Sequence, residues 1–426
     1  MLPDESIVTA LESWTHPLSA TNPTGETDDL LALEAHADAD VVGVGEATHG
    51  TREFFALKTR VVRFLVEDCG FRTVAFEADV ANALGIDEYV RRGTGTPGDA
   101  LDDLLLWVWK TEGVRNLLAW LREFNSGRSP DDQVRFFGVS LSDPSRPADH
   151  LRTYLQAVDP EYAAGLTELD RLADEEIPRE DEDEDDREAF LDSGLAVAGT
   201  IRERLEANRE RYVEAGSVRD YRIATHLCRH LEQDCEWNRT RLSTPGRFDP
   251  EAFEQRGRYM AENVGWCLDS DPGEGVVLWA HNTHVKRGSF DMAYEWASGS
   301  TMGEYLDREF GSRYRPLGTD FGHGQFLAVA DGDERKRRRF AVDEPLAGSL
   351  TTYLDRLDQS PLFLDLRGAG NDPELAPLFD RERRIRAASA LLDSDPDREE
   401  YYMETDLLAS FDGLFYVAES TPSRPL

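Results

Sequence analysis

Short apolar runs ending in glycine or in an acid, alternating with longer stretches of helical spacing, dominate the chain. Asp40-Val41-Val42-Gly43-Val44-Gly45 is one such run. From Thr51 to Asp68 the apolar residues Phe54, Leu57, Val61, Phe64 and Leu65 then recur every three or four positions, as one face of a helix requires. Gly70 suits the end of that helix, and Arg72-Thr73-Val74-Ala75-Phe76-Glu77 is a second strand, so the first eighty residues contain a βαβ unit whose strands run parallel. Similar runs at Val134–Val139, Val276–Ala280 and Arg315–Thr319, separated by helical pattern such as Glu262–Leu268, predict an α/β fold with a three-layer core around a mainly parallel sheet.

Between about His150 and Thr244 the strand pattern stops. Arg187–Val213 and Val218–Trp237 have helical spacing and are linked through a dense acidic run, Glu175–Glu188, which is expected to be solvated, mobile surface because like charges at that density cannot pack together. The expected organisation is a first part of the core over residues 1–149, a helical insertion over 150–244 and the remainder of the core over 245–426.

In open parallel sheets ligands bind beyond the carboxyl ends of the strands. Glu46 and His49 follow the first strand, Glu77 and Ser140 end the second and third, His281 and His284 follow the Val276 strand, and Asp320 and His323 follow the last. Taken singly, each has an ordinary structural explanation, a surface turn, a helix cap or a satisfied core histidine. Jointly, two acids and two or three of the nine histidines converging on one rim favour a reactive site. His226 and His230, one turn apart in the insertion, have the spacing of a metal pair, but no carboxylate motif accompanies them and no metal site is expected there.

Composition narrows the partners. The 426 residues include 84 acidic against 47 basic, a formal net charge of -37, which repels nucleic acid and anionic membrane surfaces. Only four of the basic residues are lysines, and a carboxylate-rich, lysine-poor surface fits work in concentrated salt and a halophilic source. No stretch approaches the roughly 18 unbroken apolar residues that would span a bilayer, and there is no basic leader followed by an apolar run, so a cytoplasmic protein is expected. Cys69, Cys228, Cys235 and Cys267 lack C-x-x-C spacing and suggest free buried thiols.

An imidazole can take a proton from water at neutral pH when a carboxylate fixes its tautomer, a part that Glu46 or Glu77 would play beside His49. A second carboxylate held near the first would have a raised pKa and could protonate a leaving alkoxide; His281, His284 and Lys58 would stabilise the oxyanion. The chain has no G-x-S-x-G elbow, since Gly138-Val139-Ser140-Leu141-Ser142 breaks the pattern, and no P-loop or G-x-G-x-x-G, which disfavours a covalent serine mechanism and nucleotide chemistry.

Gly45-Glu46-Ala47-Thr48-His49-Gly50-Thr51-Arg52-Glu53-Phe54 with Phe76-Glu77-Ala78 resembles the opening motifs of the erythromycin esterase family, which includes proteins labelled as succinoglycan biosynthesis proteins. Met260-Ala261-Glu262-Asn263, Trp279-Ala280-His281-Asn282-Thr283-His284-Val285 and Thr421-Pro422-Ser423-Arg424-Pro425 continue the resemblance over nearly the full chain. It implies hydrolysis of a small-molecule ester or lactone without metal or other cofactor, on an α/β core whose insertion forms a lid. By position, His49 matches the base, Glu46 and Glu77 the acidic pair, and His281 and His284 the later histidines, with His281 expected among the catalytic residues and His284 and Lys58 among those binding substrate. Lys58 stands where the family usually has arginine, and Ser140 where many relatives would have aspartate, so substrate orientation is expected to differ. Trp107, Trp109 and Trp237 could line a pocket, although core packing is favoured for them. The rival readings are a divalent-metal hydrolase at the Glu/His cluster and a catalytically silent binding protein of the same fold.

Overall fold

A computed structural model of the chain describes residues 4–178, 183–243, 249–270, 275–291, 298–330, 336–388, 390–392 and 398–426. Ten strands form one sheet: β1 (Thr15–Pro17), β2 (Val41–Val44), β3 (Thr73–Asp79), β4 (Arg135–Ser140), β5 (Val276–Trp279), β6 (Tyr314–Ala330), β7 (Arg337–Val342), β8 (Leu362–Asp365), β9 (Leu391–Leu392) and β10 (Gly413–Ser420). The spatial order is β1-β8-β10-β6-β2-β5-β3-β4, with β7 and β9 also paired to β6. The pairs β6/β10, β2/β6, β2/β5, β3/β5, β3/β4 and β6/β9 are parallel; β1/β8, β8/β10 and β6/β7 are antiparallel.

The central strands β2, β3 and β5 are buried at every position, as expected of parallel strands covered on both faces. Their side chains alternate between two apolar layers. Val42, Val44, Val74, Phe76, Val277 and Trp279 pack under the helix Arg52–Glu67, and Val41, Ala75, Val276, Leu278 and Ala280 pack against the helices Pro250–Ser270 and Met302–Phe310. The three-layer α/β core with a mainly parallel sheet is therefore the architecture. The Arg52–Glu67 helix ends where Gly70, at φ 81°, turns the chain into β3.

Two elements differ from the sequence pattern. The run expected at Arg315–Thr319 is the first third of β6, which continues to Ala330. Beyond Thr319 the alternation is broken by Gly322, His323, Gly324 and Gln325, but the backbone stays paired, to β10 on one side and to antiparallel β7 further on. Asp320 and His323 consequently lie inside a strand, not at its end. Asp320 accepts hydrogen bonds from Thr351 and its own neighbour Phe321, and His323 is exposed, so neither joins the site. The antiparallel flank of β1, β8 and β10 was not anticipated, although Leu362-Phe363-Leu364 and Leu414-Phe415-Tyr416-Val417 are apolar runs of the same kind.

Between β4 and β5 the helices Ser145–Val158, Thr167–Asp174, Glu184–Ala207, Arg209–Ala215 and Val218–Leu242 enclose an apolar cluster of their own, including Leu151, Leu172, Phe190, Ile201, Tyr212 and Leu231. The stretch expected as one helix over Arg187–Val213 is two, parted at Asn208. Of the acidic run, 179–182 lie outside the described residues, while Glu184, Asp185 and Asp186 are exposed in the first turn of a helix capped by Asp183, where the helix dipole favours carboxylates.

Candidate active site

The turn after β2 carries Glu46 and His49 to the carboxyl edge of the sheet. His49 Nδ1 lies 2.6 Å from Glu46 Oε1, so Nδ1–H donates to the carboxylate and Nε2 is left with its lone pair. The other carboxylate oxygen, Oε2, accepts from Lys58 Nζ at 2.8 Å and from the Trp279 indole at 2.9 Å. Glu46 and Lys58 are both fully buried. Burial pushes the Glu46 carboxyl up, but Lys58 and His49 outweigh it and leave it below its ordinary value. For His49 burial acts downward, and the Glu46 carboxylate more than reverses it, leaving the imidazole more basic than the ordinary 6.5.

Glu77, near the end of β3, forms the second half of the cluster. Its Oε2 accepts the backbone N–H of His281 at 3.0 Å; its Oε1 lies 3.1 Å from both Arg256 Nη2 and His284 Nε2. Arg256 also donates to Ser140 Oγ at 2.8 Å and sits 3.0 Å from His284 Nε2. Burial pushes Glu77 up, yet His284 and Arg256 hold it well below the ordinary 4.5. The expectation of a second carboxylate with a raised pKa, able to serve as acid, is therefore corrected: Glu77 is an ionised anchor. His284 contributes most and Arg256 next, and Arg256 is the partner that sequence reasoning missed. Its signal was present, because Arg256 lies seven residues before Asn263 on one helix face, and Asn263 donates to the Val139 carbonyl of β4.

His281 stands beside the base, with ring centroids 4.9 Å apart. Its Nδ1 accepts from Thr283, whose hydroxyl is 2.8 Å and backbone N–H 3.3 Å away, so the proton is on Nε2, which faces the Ala388 carbonyl at 3.3 Å. Burial and the neighbouring His49 push its pKa down to about 3, keeping it neutral. His284, lowered by burial, stacks on Phe253. Lys58, expected near the substrate, has no exposed surface; its ammonium is committed to Glu46 and to the Ala280 carbonyl at 3.1 Å, and burial lowers it to about 8. Each buried carboxylate thus has its own cation, Lys58 for Glu46 and Arg256 for Glu77.

Asn282 ties the turns that follow β2 and β5 to the body of β6. It donates from its backbone to the Glu46 carbonyl, from its amide to the Thr319 carbonyl, and accepts from the Thr319 N–H. A Cβ on Gly45 would lie 2.3 Å from Asn282 Oδ1, which explains the glycine there. Access to the cluster is narrow: the side chain of His49 is 11% exposed and that of Arg256 19%, the remainder less. Trp109 meets His49 edge-on at 5.9 Å from within the core, Trp107 packs against the same apolar layer, and Trp237 donates to the Ala252 carbonyl. Cys69, Cys228 and Cys235 are free, Cys69 half-buried.

One expectation is overturned outside the cluster. His230 is accompanied by carboxylates after all, Asp79 from β3 and Asp234 one turn along its helix, whereas His226 stacks flat on Trp266.

Removing the guanidinium in Arg256→Met should let the Glu77 pKa climb toward 4.5. A depressed carboxyl pKa stabilises the fold above about pH 4.5 and ceases to do so as pH falls through the folded value. The variant's stability deficit in urea is accordingly expected to be larger at pH 7 than at pH 3.

An α/β core carrying a histidine–carboxylate pair at a strand edge is the framework of many hydrolytic enzymes. The sequence profile described as erythromycin esterase matches residues 66–420, and the chain belongs to that family. It is 25% identical to erythromycin esterase type II of Escherichia coli over 96% of both chains. It is 22% identical to a putative hydrolase of Bacillus subtilis (strain 168) over 97% of this chain and 91% of that one. The crystal structure of a Bacillus cereus protein, 24% identical, superposes over 100% of both chains with a TM-score of 0.82. Family and relatives support a hydrolase acting on a small molecule. Among the described residues no helix is long and apolar enough to cross a membrane.

Proposed function

We propose that the protein hydrolyses a carboxylic ester or lactone with a water activated by His49, without a covalent serine intermediate. The observation that carries this is the 2.6 Å contact from His49 Nδ1 to a buried carboxylate that is itself held by Lys58 and Trp279. His49 Nε2 takes a proton from water as the oxygen adds to the acyl carbon, and the Glu46 carboxylate stabilises the imidazolium. The acyl–oxygen bond then breaks and the alkoxide recovers that proton from His49, since the ionised Glu77 has none to give. The Nε2–H of neutral His281 and the Arg256 guanidinium would serve as donors to the developing oxyanion; the His281 contact to Ala388, at 3.3 Å, is long enough to yield to a closer acceptor.

The matched charges argue against a divalent ion at this cluster, because Lys58 and Arg256 occupy the electrostatic place a cation would take. Macrolide lactones, and hence antibiotic resistance, are a substrate class to test. A macrolide would need more room than the exposed edge of His49 provides, so the helical insertion would act as the lid whose opening admits it. The free thiols fit a cytoplasmic location and the acidic surface a halophilic source.

The test is turnover of macrolides, smaller lactones and aryl esters in high salt as a function of pH. Turnover is expected with no initial burst of released alcohol. The rate should fall as pH drops below a midpoint above 6.5, where His49 is protonated, and again above about 8, where Lys58 loses its charge. A stoichiometric burst would mean a covalent acyl intermediate and would overturn the mechanism; failure on every ester would favour a silent binding protein.

A further inference from the structure

We propose that Asp79, His230 and Asp234 form a structural site for a divalent transition-metal ion of the zinc type, which clamps the helical insertion to the catalytic sheet. His230 Nε2 lies 3.3 Å from Asp79 Oδ2 and 3.4 Å from Asp234 Oδ2. A charge-assisted hydrogen bond would be about 2.7–2.9 Å long. Ligand atoms held about 2.0–2.2 Å from a tetrahedral ion are, by contrast, about 3.3–3.6 Å from one another, the spacing of both contacts of His230 Nε2, and all three ligand atoms lie within 4.8 Å of one another.

The atoms behind these three are arranged as outer partners of a metal site usually are. Asp79 Oδ1 accepts from the Asn82 N–H at 2.7 Å, and Asp234 Oδ1 from the Ser142 N–H at 3.0 Å, so each carboxylate turns its Oδ2 inward. His230 Nδ1 faces Gln233 Oε1 at 3.5 Å, which leaves Nε2 as the inward nitrogen. Ser142 Oγ, 2.8 Å from Asp79 Oδ2, is placed to complete or support the set. Asp234 Oδ2 is buried with no hydrogen-bond partner, an orphan aimed into the cluster.

Charge points the same way. Asp79 and Asp234 are buried, yet among the described residues neither pairs with lysine or arginine, unlike Glu46 and Glu77. Burying two carboxylates against one imidazole is costly, and a dication beside a neutral His230 would balance both. Two carboxylates and one imidazole suit zinc, cobalt or manganese. Asp79 belongs to β3, two residues after Glu77, and His230 and Asp234 to the insertion helix Val218–Leu242, so the ion would fix that helix relative to the second catalytic carboxylate. With all three side chains buried, loading would occur during folding.

The full chain should be refolded with Zn2+ or Co2+, freed of excess ion, and assayed for metal content, cobalt absorption and melting temperature. One ion per chain is expected in the wild type and in Glu46→Gln, which controls for binding at the catalytic cluster. Affinity should fall by at least about 10–100-fold in Asp234→Asn and His230→Gln, the cost of losing even an outer partner, and the ion should raise the melting temperature of the wild type but not of these variants. Where a variant fails to fold, the wild-type cobalt spectrum decides: an intense tetrahedral band supports the site and a weak aquo-like band overturns it. Substoichiometric metal in the wild type, or undiminished metal in both folded variants, also overturns it.

Discussion

His49→Ala should retain the fold and lose about 10²–10⁴-fold in kcat on whichever ester the protein turns over, the usual worth of a positioned general base. The side chain is 11% exposed, edge-on to Trp109 and beside His281, so the lost packing has to be measured separately from the lost chemistry. The measurement is kcat and KM on one ester, beside a urea melt. A loss confined to KM, or one matched by lost stability, would mean that His49 binds or packs and does not transfer the proton. His281→Ala is the useful comparison: its pKa near 3 denies it the role of base, so the acid limb of the pH profile should survive in that variant.

Glu46→Gln is expected to act on activity and stability together. The amide keeps the shape but removes the charge that makes His49 more basic than 6.5 and stabilises its protonated form, so kcat should fall by about 10²–10⁴-fold and the remaining acid limb should move to lower pH. Lys58 is then left buried opposite a neutral group. Breaking a buried pair from one side costs about 3–5 kcal/mol, and both partners here have no exposed surface. Urea unfolding at neutral pH checks this term, and Glu46→Gln combined with Lys58→Met should recover part of the stability but none of the activity. Stability unchanged in the single variant would mean that Lys58 sheds its proton at little cost.

What the sequence disclosed and what it concealed follow from distance along the chain. Glu46 and His49 sit on one turn, so their pairing follows from three-residue spacing. Glu77, His281 and His284 were legible through the rule that parallel strands deliver their ends to one edge, since β2, β3 and β5 are short apolar runs with no competing pattern. Arg256 comes from the middle of a helix after the insertion, and only the face it shares with Asn263 hinted at its direction. The juxtaposition of Asp79 with His230 depends on how the insertion packs on β3, which periodicity does not encode. The second half of β6 escaped because its glycines permit close backbone pairing, as where a Cβ on Gly324 would meet the Ser420 carbonyl at 2.1 Å, while erasing the alternation by which a strand is recognised.

The pairing of Glu46 with Lys58 and of Glu77 with Arg256 makes the reaction centre an electrically balanced interior inside a strongly anionic body. Each pair carries no net charge, so its field falls off faster with distance than that of a lone charge and gives ions in solution little to screen. Salt is therefore expected to govern whether this chain stays folded and how fast a charged substrate arrives. The proton affinity of the base should stay nearly constant across the same range of ionic strength, leaving the acid midpoint of the rate profile fixed while the melting temperature moves.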